Sequence, residues 1–102
     1  MMLISFGTRP EYIKIKPLLA EFDGVIPYAL LFTGQHTSLL EEVINTTDVR
    51  QLKIHDGENR LDSIVASIMN NDQVFNQVTS VMVQGDTTSA FAVALAAFHR
   101  KL

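Results

Sequence analysis

The chain contains no cysteine, which excludes a disulfide framework, a thiolate nucleophile and any zinc or iron–sulfur centre built on cysteine. That absence fits a reducing compartment. Positive charge is not in excess either: eleven acids against eight bases leave a net charge of −3, so no general attraction to nucleic acid or to an anionic membrane surface is expected. A long apolar run is also missing. Residues 24–40 are uncharged but are broken by Gly24, Pro27, Gly34, Gln35 and His36, which argues against a membrane span. The first residues enter apolar sequence at once, with neither a basic region nor a small-residue cleavage site, so a cytoplasmic protein is expected. No internal repeat, linker or low-complexity stretch interrupts the chain.

What is present is the composition of a globular protein, 47% apolar and 19% charged over 102 residues, too hydrophobic to remain disordered. That length builds one core and is too short for two, so residues 1–102 are expected to form a single domain or a piece of one. The charge is unevenly spread. Residues 1–36 balance three acids with three bases, whereas residues 37–80 carry seven acids and three bases. An anion site is therefore expected near the N-terminus.

Apolar runs alternate with helical periodicity along the chain. Residues 1–6 form a short run ended by Gly7, as expected of a strand buried on both faces,. Pro10 suits the first turn of a helix, where its missing N–H has no partner to lose, and Tyr12, Ile15, Leu19 and Phe22 repeat at helical spacing,. Pro17 falls inside that pattern and is expected to kink or restart it. Asp23-Gly24 should close the helix, and residues 28–33 form a second strand with Pro27 confined to its start,.

A helix capped by Thr37 or Ser38 follows, carrying Leu39, Leu40, Val43 and Ile44,. Residues 50–54 make a weak third strand. From Leu61 an amphipathic helix is expected to run to Phe75 with Asp62, Asn70 and Asn71 outward,. Residues 78–83 form a fourth strand. The last helix, 89–100, is apolar on all sides, which predicts wide coverage by other structure,.

The order βαβαβαβα with right-handed crossovers predicts an α/β fold: a Rossmann-like parallel sheet with helices on both faces. With the usual strand order 3-2-1-4, the loops after the first and fourth strands lie side by side where the winding reverses. Such folds bind ligands there.

The residues with chemistry collect on those loops. Gly7-Thr8-Arg9-Pro10-Glu11 occupies the first strand-to-helix turn, where backbone N–H groups and the helix dipole favour an anion and Arg9 adds a fork matched to phosphate or carboxylate,. Lys14 lies one turn further on. Read alone, this is a glycine turn with a proline at the helix start and solvated bases. It lacks the three-glycine dinucleotide fingerprint and the Walker lysine, so it supports neither a nicotinamide cofactor nor a P-loop.

Gly85-Asp86-Thr87-Thr88-Ser89 forms the matching loop after the fourth strand. Asp86 is there either a helix N-cap, the commoner role, or an acid facing Arg9 and Lys14 across one crevice, able to touch a sugar hydroxyl or move a proton. Gln35 and His36 follow the second strand on the same side of the sheet. A single histidine is no metal site, and His55 and His99 receive no role.

Three motifs, Phe6-Gly7-Thr8-Arg9-Pro10-Glu11 continued by Ile13-Lys14 and Pro17-Leu18, then Thr33-Gly34-Gln35-His36, then Gln84-Gly85-Asp86-Thr87-Thr88, resemble those of the non-hydrolysing UDP-N-acetylglucosamine 2-epimerases. They stand in the same order and at the ends of corresponding strands. The resemblance implies the GT-B architecture, with the nucleotide sugar between two Rossmann-like domains, and residues 1–102 as an N-terminal fragment inactive by itself. It further implies an isomerase of cell-envelope polysaccharide biosynthesis that interconverts UDP-N-acetylglucosamine and UDP-N-acetylmannosamine. UDP is eliminated to leave a 2-acetamidoglucal and is then added back. No cofactor is needed, and a homodimer is expected of the full-length enzyme.

By this resemblance Arg9 and Lys14 serve the phosphate and sugar, and Asp86 is an active-site acid. Gly7, Thr8, Gln35, His36, Gly85 and Thr87 contact substrate. The chain departs from the family at Ser38, where relatives carry glutamine, and at Glu58-Asn59, where they carry Arg-Gln; both speak against activation by a second substrate molecule. Tyr12 stands where alanine is common. The competing expectations are a non-catalytic module binding a nucleotide sugar or anion, and a purely structural α/β domain.

Overall fold

The computed structural model describes residues 1–34, 48–52, 59–85 and 87–102. Four parallel strands, β1 (Met2–Phe6), β2 (Tyr28–Phe32), β3 (Val49–Gln51) and β4 (Ser80–Met82), form one sheet in the order β3-β2-β1-β4. Among the described residues three α-helices pack on it: α1 (Arg9–Phe22), α2 (Arg60–Met69) and α3 (Thr88–His99). The expected 3-2-1-4 order is the observed one. The helix expected over 37–44, with its caps Thr37 and Ser38, lies outside the described residues.

The sheet's pleat decides where each apolar residue goes, because successive side chains point to opposite faces. Ile4, Phe6, Leu30 and Phe32 meet Tyr12, Ile15 and Leu19 of α1. Leu3, Ala29 and Leu31 meet Ile64 and Ile68 of α2 and Ala92, Val93 and Ala96 of α3 on the other face. Both faces of β1 and β2 are thus covered, and the runs that build them are continuous in sequence rather than alternating. Full burial of each Leu, Ile or Phe contributes about 1.5–3 kcal/mol.

Pro17 does not restart α1, which stays one helix from Arg9 to Phe22. The helical bond lost at Pro17 belongs to the carbonyl of Ile13, and both residues stand exposed, where water replaces the missing donor. At the other end Gly24 takes φ +75°, the left-handed turn that closes helices.

The helix expected to continue to Phe75 ends instead at Met69, with Asn70 as its C-cap and a 3-10 turn over Asp72–Phe75. Two arginines hold that break. Arg50 on β3 pairs with Asp48 and donates to the carbonyls of Val74 and Asn76, each at 2.8 Å. Arg100 stacks on the Phe75 ring at 4.5 Å, donates to the Met69 carbonyl at 3.1 Å and pairs with Asp72. The tighter turn buries Val74 and Phe75 together, and these carbonyl bonds exist only because the helix stops.

The third strand is shorter than expected and starts at Val49 rather than residue 50, with residues 53 and 54 outside the described set. The fourth pairs only over Ser80–Met82, half-buried at the sheet's edge. The broad coverage expected of the last helix is also not what the described residues provide. Ala92, Val93, Ala96 and Ala97 are buried, but Phe91 is 64% and Phe98 77% exposed. One sheet face touches only one side of a helix.

At the start of β2 the Tyr28 hydroxyl donates to Asp23 Oδ1 at 2.6 Å. Burial, then that bond to a carboxylate, pushes the Tyr28 pKa up to about 12 from 10.0. A folded-state pKa above the unfolded one means the stability it lends is complete below pH ~10 and is lost as pH rises toward ~12,. Alkaline denaturation curves of the parent chain and Tyr28→Phe are therefore expected to converge across that window. A constant separation would dissociate the pH effect from Tyr28.

Candidate functional site in the cleft at the strand ends

The strand order places β1 beside both β2 and β4. The chain leaves β1 toward α1 on one face and leaves β4 toward α3 on the other, so the two connections diverge and open a gap at the carboxyl edge of the sheet. A cleft of about 310 Å³ occupies it, at the small end of the range for small-molecule sites. Gly7, Thr8 and Glu11 form one wall, Thr33 and Gly34 the floor, Arg60, Leu61 and Ile64 a second wall, and Thr87, Thr88 and Ser89 the third.

Local sequence builds each wall. Thr8 is the N-cap of α1, its hydroxyl accepting the Glu11 N–H at 3.4 Å. Glu11, only 7% exposed, turns back so that Oε1 accepts the Gly7 N–H at 3.2 Å and the Thr8 hydroxyl at 3.1 Å. This is a capping box spread over one extra residue. It occupies the carboxylate with the loop's own donors and fixes the β1–α1 turn.

Thr87 caps α3 by accepting the Ala90 N–H at 3.2 Å, so the cap anticipated at Asp86 falls one residue later. Asn59 caps α2 through the N–H groups of Leu61 and Asp62, at 3.0 and 3.2 Å. The first turns of three helices therefore border one cavity, each carrying a partial positive charge that favours an anionic guest.

The floor depends on a close approach. A Cβ at Gly34 would stand 2.1 Å from the Gly7 carbonyl oxygen and 2.9 Å from the Phe32 ring, and one at Gly7 would stand 2.7 Å from Thr33 Oγ1. Glycine at both positions lets the ends of β1 and β2 come together, and the Thr33 hydroxyl donates across them to the Phe6 carbonyl at 3.3 Å.

Of the residues expected from sequence to form the site, Gly7, Thr8 and Thr87 meet in this cleft. Arg9 and Lys14 stand exposed on the first half of α1, outside the lining. Gly85 is exposed at φ +88° in the loop before Thr87. Gln35, His36 and Asp86 lie outside the described residues.

Sequence reasoning missed the locking role of Glu11, although the Thr8-to-Glu11 spacing carries that signal. It also missed Arg60. Nothing local marks Arg60, whose place in the cleft follows from strand order alone.

No protein-family profile matches the chain. Individual proteins do. It is 36% identical over 99% of its length to a UDP-N-acetylglucosamine 2-epimerase of Salmonella borreze and 37% identical over 99% to one of Campylobacter jejuni. Its fold superimposes on a Neisseria meningitidis UDP-GlcNAc 2-epimerase solved with UDP-GlcNAc, with a TM-score of 0.83, 34% identity and 98% of this chain covered. A Staphylococcus aureus MnaA structure solved with UDP gives a TM-score of 0.76 at 28% identity, covering 99% of this chain. The chain spans 29% and 28% of the two sequence relatives, and 30% and 28% of the two solved chains. The conjunction of the two loops at one cleft and this similarity in sequence and fold lead to one conclusion: the chain belongs to the UDP-N-acetylglucosamine 2-epimerase family, over about 30% of the length of its relatives.

Proposed function

We propose that residues 1–102 form a single Rossmann-like unit that contributes one wall of a nucleotide-sugar site. In a protein of the relatives' length, that site would carry out UDP-N-acetylglucosamine 2-epimerisation in the cytoplasm. The observation that carries the reading is the meeting of Gly7 and Thr8 with Thr87, Thr88 and Ser89 around one cavity, because elimination needs a cradle for the departing diphosphate beside a proton-transfer group. Helix N-termini and loop N–H groups suit the diphosphate.

On this reading Arg9 and Lys14 stabilise charge on the leaving group and sugar. Asp86 takes part in proton transfer at C2, while Gln35 and His36 contact the ligand from the loop after β2. Gly85 gives the loop before Thr87 its left-handed turn. The reaction removes the C2 proton, breaks the C1–O bond to release UDP, and re-adds both with inverted C2 configuration. Electrons and atoms balance without a redox partner, and a homodimer is the expected assembly of the longer protein.

Titrating the chain with UDP, followed by amide NMR, tests the site. Shifts at Gly7, Thr8 and Thr87 with a dissociation constant on the order of millimolar are expected of a partial site. No shift at these amides would overturn the reading. A dissociation constant on the order of micromolar would favour the non-catalytic module, which keeps the same cleft and needs nothing further to bind.

A further inference from the structure

Arg60 is the one base among the described residues that line the cleft. The other described arginines of the α2 and α3 side are committed elsewhere: Arg50 to Asp48 and two carbonyls, Arg100 to Asp72, the Met69 carbonyl and the Phe75 ring. Arg60 is exposed, and its side chain makes no hydrogen bond or ion pair among the described residues. Its position is also locally unfavourable, since it opens α2, where the dipole repels a cation,. Helix capping does not require it, because Asn59 already accepts the first free N–H groups. A cation placed against the dipole, lining one cavity with the hydroxyl-bearing residues Thr8, Thr87, Thr88 and Ser89, is arranged for a guest rather than for the fold.

We propose that Arg60 is a binding residue of this cleft and forks onto an oxyanion of the ligand, either the diphosphate or a carboxylate on the sugar. The inference rests on the reading that a nucleotide sugar occupies the cleft. A guanidinium presents two parallel N–H donors to such a group, which a lysine or a hydroxyl does not. Arg60 belongs to α2 while Thr8 caps α1, so the anion would be held by more than one element of the cleft.

The test titrates the 102-residue chain and its Arg60→Gln and Arg60→Lys variants with UDP, UDP-glucose and UDP-glucuronic acid, following the Gly7, Thr8 and Thr87 amides by NMR. Circular dichroism checks that α2 is intact, as expected with Asn59 unchanged. Arg60→Gln is expected to weaken binding about tenfold, with partial recovery in Arg60→Lys, which keeps the charge without the fork. Equal weakening for all three ligands assigns the diphosphate; weakening confined to UDP-glucuronic acid assigns the sugar carboxylate. Unchanged affinity for all three overturns the role of Arg60 while leaving the cleft as the nucleotide-sugar site. No amide shift in the parent chain with any ligand overturns both.

Discussion

Replacing Asp86 by Asn in a protein of the relatives' full length is expected to slow solvent deuterium exchange into C2 of the sugar by about 10²–10⁴-fold, the usual cost of losing a positioned proton-transfer group. Asparagine keeps the size and can still hydrogen-bond, but it cannot accept the C2 proton. The substitution is clean because Thr87, not Asp86, caps α3 through its hydroxyl, so the helix start survives the change. Arg9→Ala should reduce the same exchange by weakening the hold on the diphosphate. Deuterium incorporation at the parent rate in both variants would remove these residues from the roles proposed. If the two changes moved only the urea midpoint, the purely structural domain would be the better account.

Gly34→Ala is expected to destabilise the chain by roughly 2–3 kcal/mol, toward the upper end of overpacking costs, lowering the melting temperature by roughly 10–20 °C. The added methyl would stand 2.1 Å from a backbone oxygen, that of Gly7, and 2.9 Å from the Phe32 ring. Phe32 is fully buried, so the ring has nowhere to turn. Relief requires parting the ends of β1 and β2, which widens the cleft floor and strains the Thr33-to-Phe6 bond.

Gly24→Ala is the control. It meets nothing within 4 Å but sits at φ +75°, so it loses only about 1 kcal/mol through the left-handed backbone. Comparable urea midpoints for the two variants would show that the strand ends yield easily and that the floor is not a rigid element.

The contrast between these glycines also marks how far the sequence could be read. Gly24 follows a periodic helix pattern and announces its turn locally, as do Gly7 before Pro10 and the apolar runs of β1 and β2. The closeness of Gly34 to Gly7 is invisible locally, because it depends on a parallel register that pairs Phe6 with Phe32. The break after Met69 is hidden for a related reason. The period from Leu61 to Phe75 is helical, but Arg50 and Arg100, distant in sequence, supply the bonds that reward stopping. Coverage of the last helix failed as an expectation because periodicity reports hydrophobicity, not which neighbours exist to bury it.

The α/β class, the alternation of strand and helix and the family the motifs resemble could be read from the chain alone, since each depends on short-range pattern or on motifs within a few residues. What the folded chain adds is that Gly34 abuts the Gly7 carbonyl, that Arg50 and Arg100 end α2 at Met69, and that Arg60 lines the same cleft as Thr8 and Thr87. Those facts arise from contacts between segments tens of residues apart, and their geometry exists only once the strands are in register.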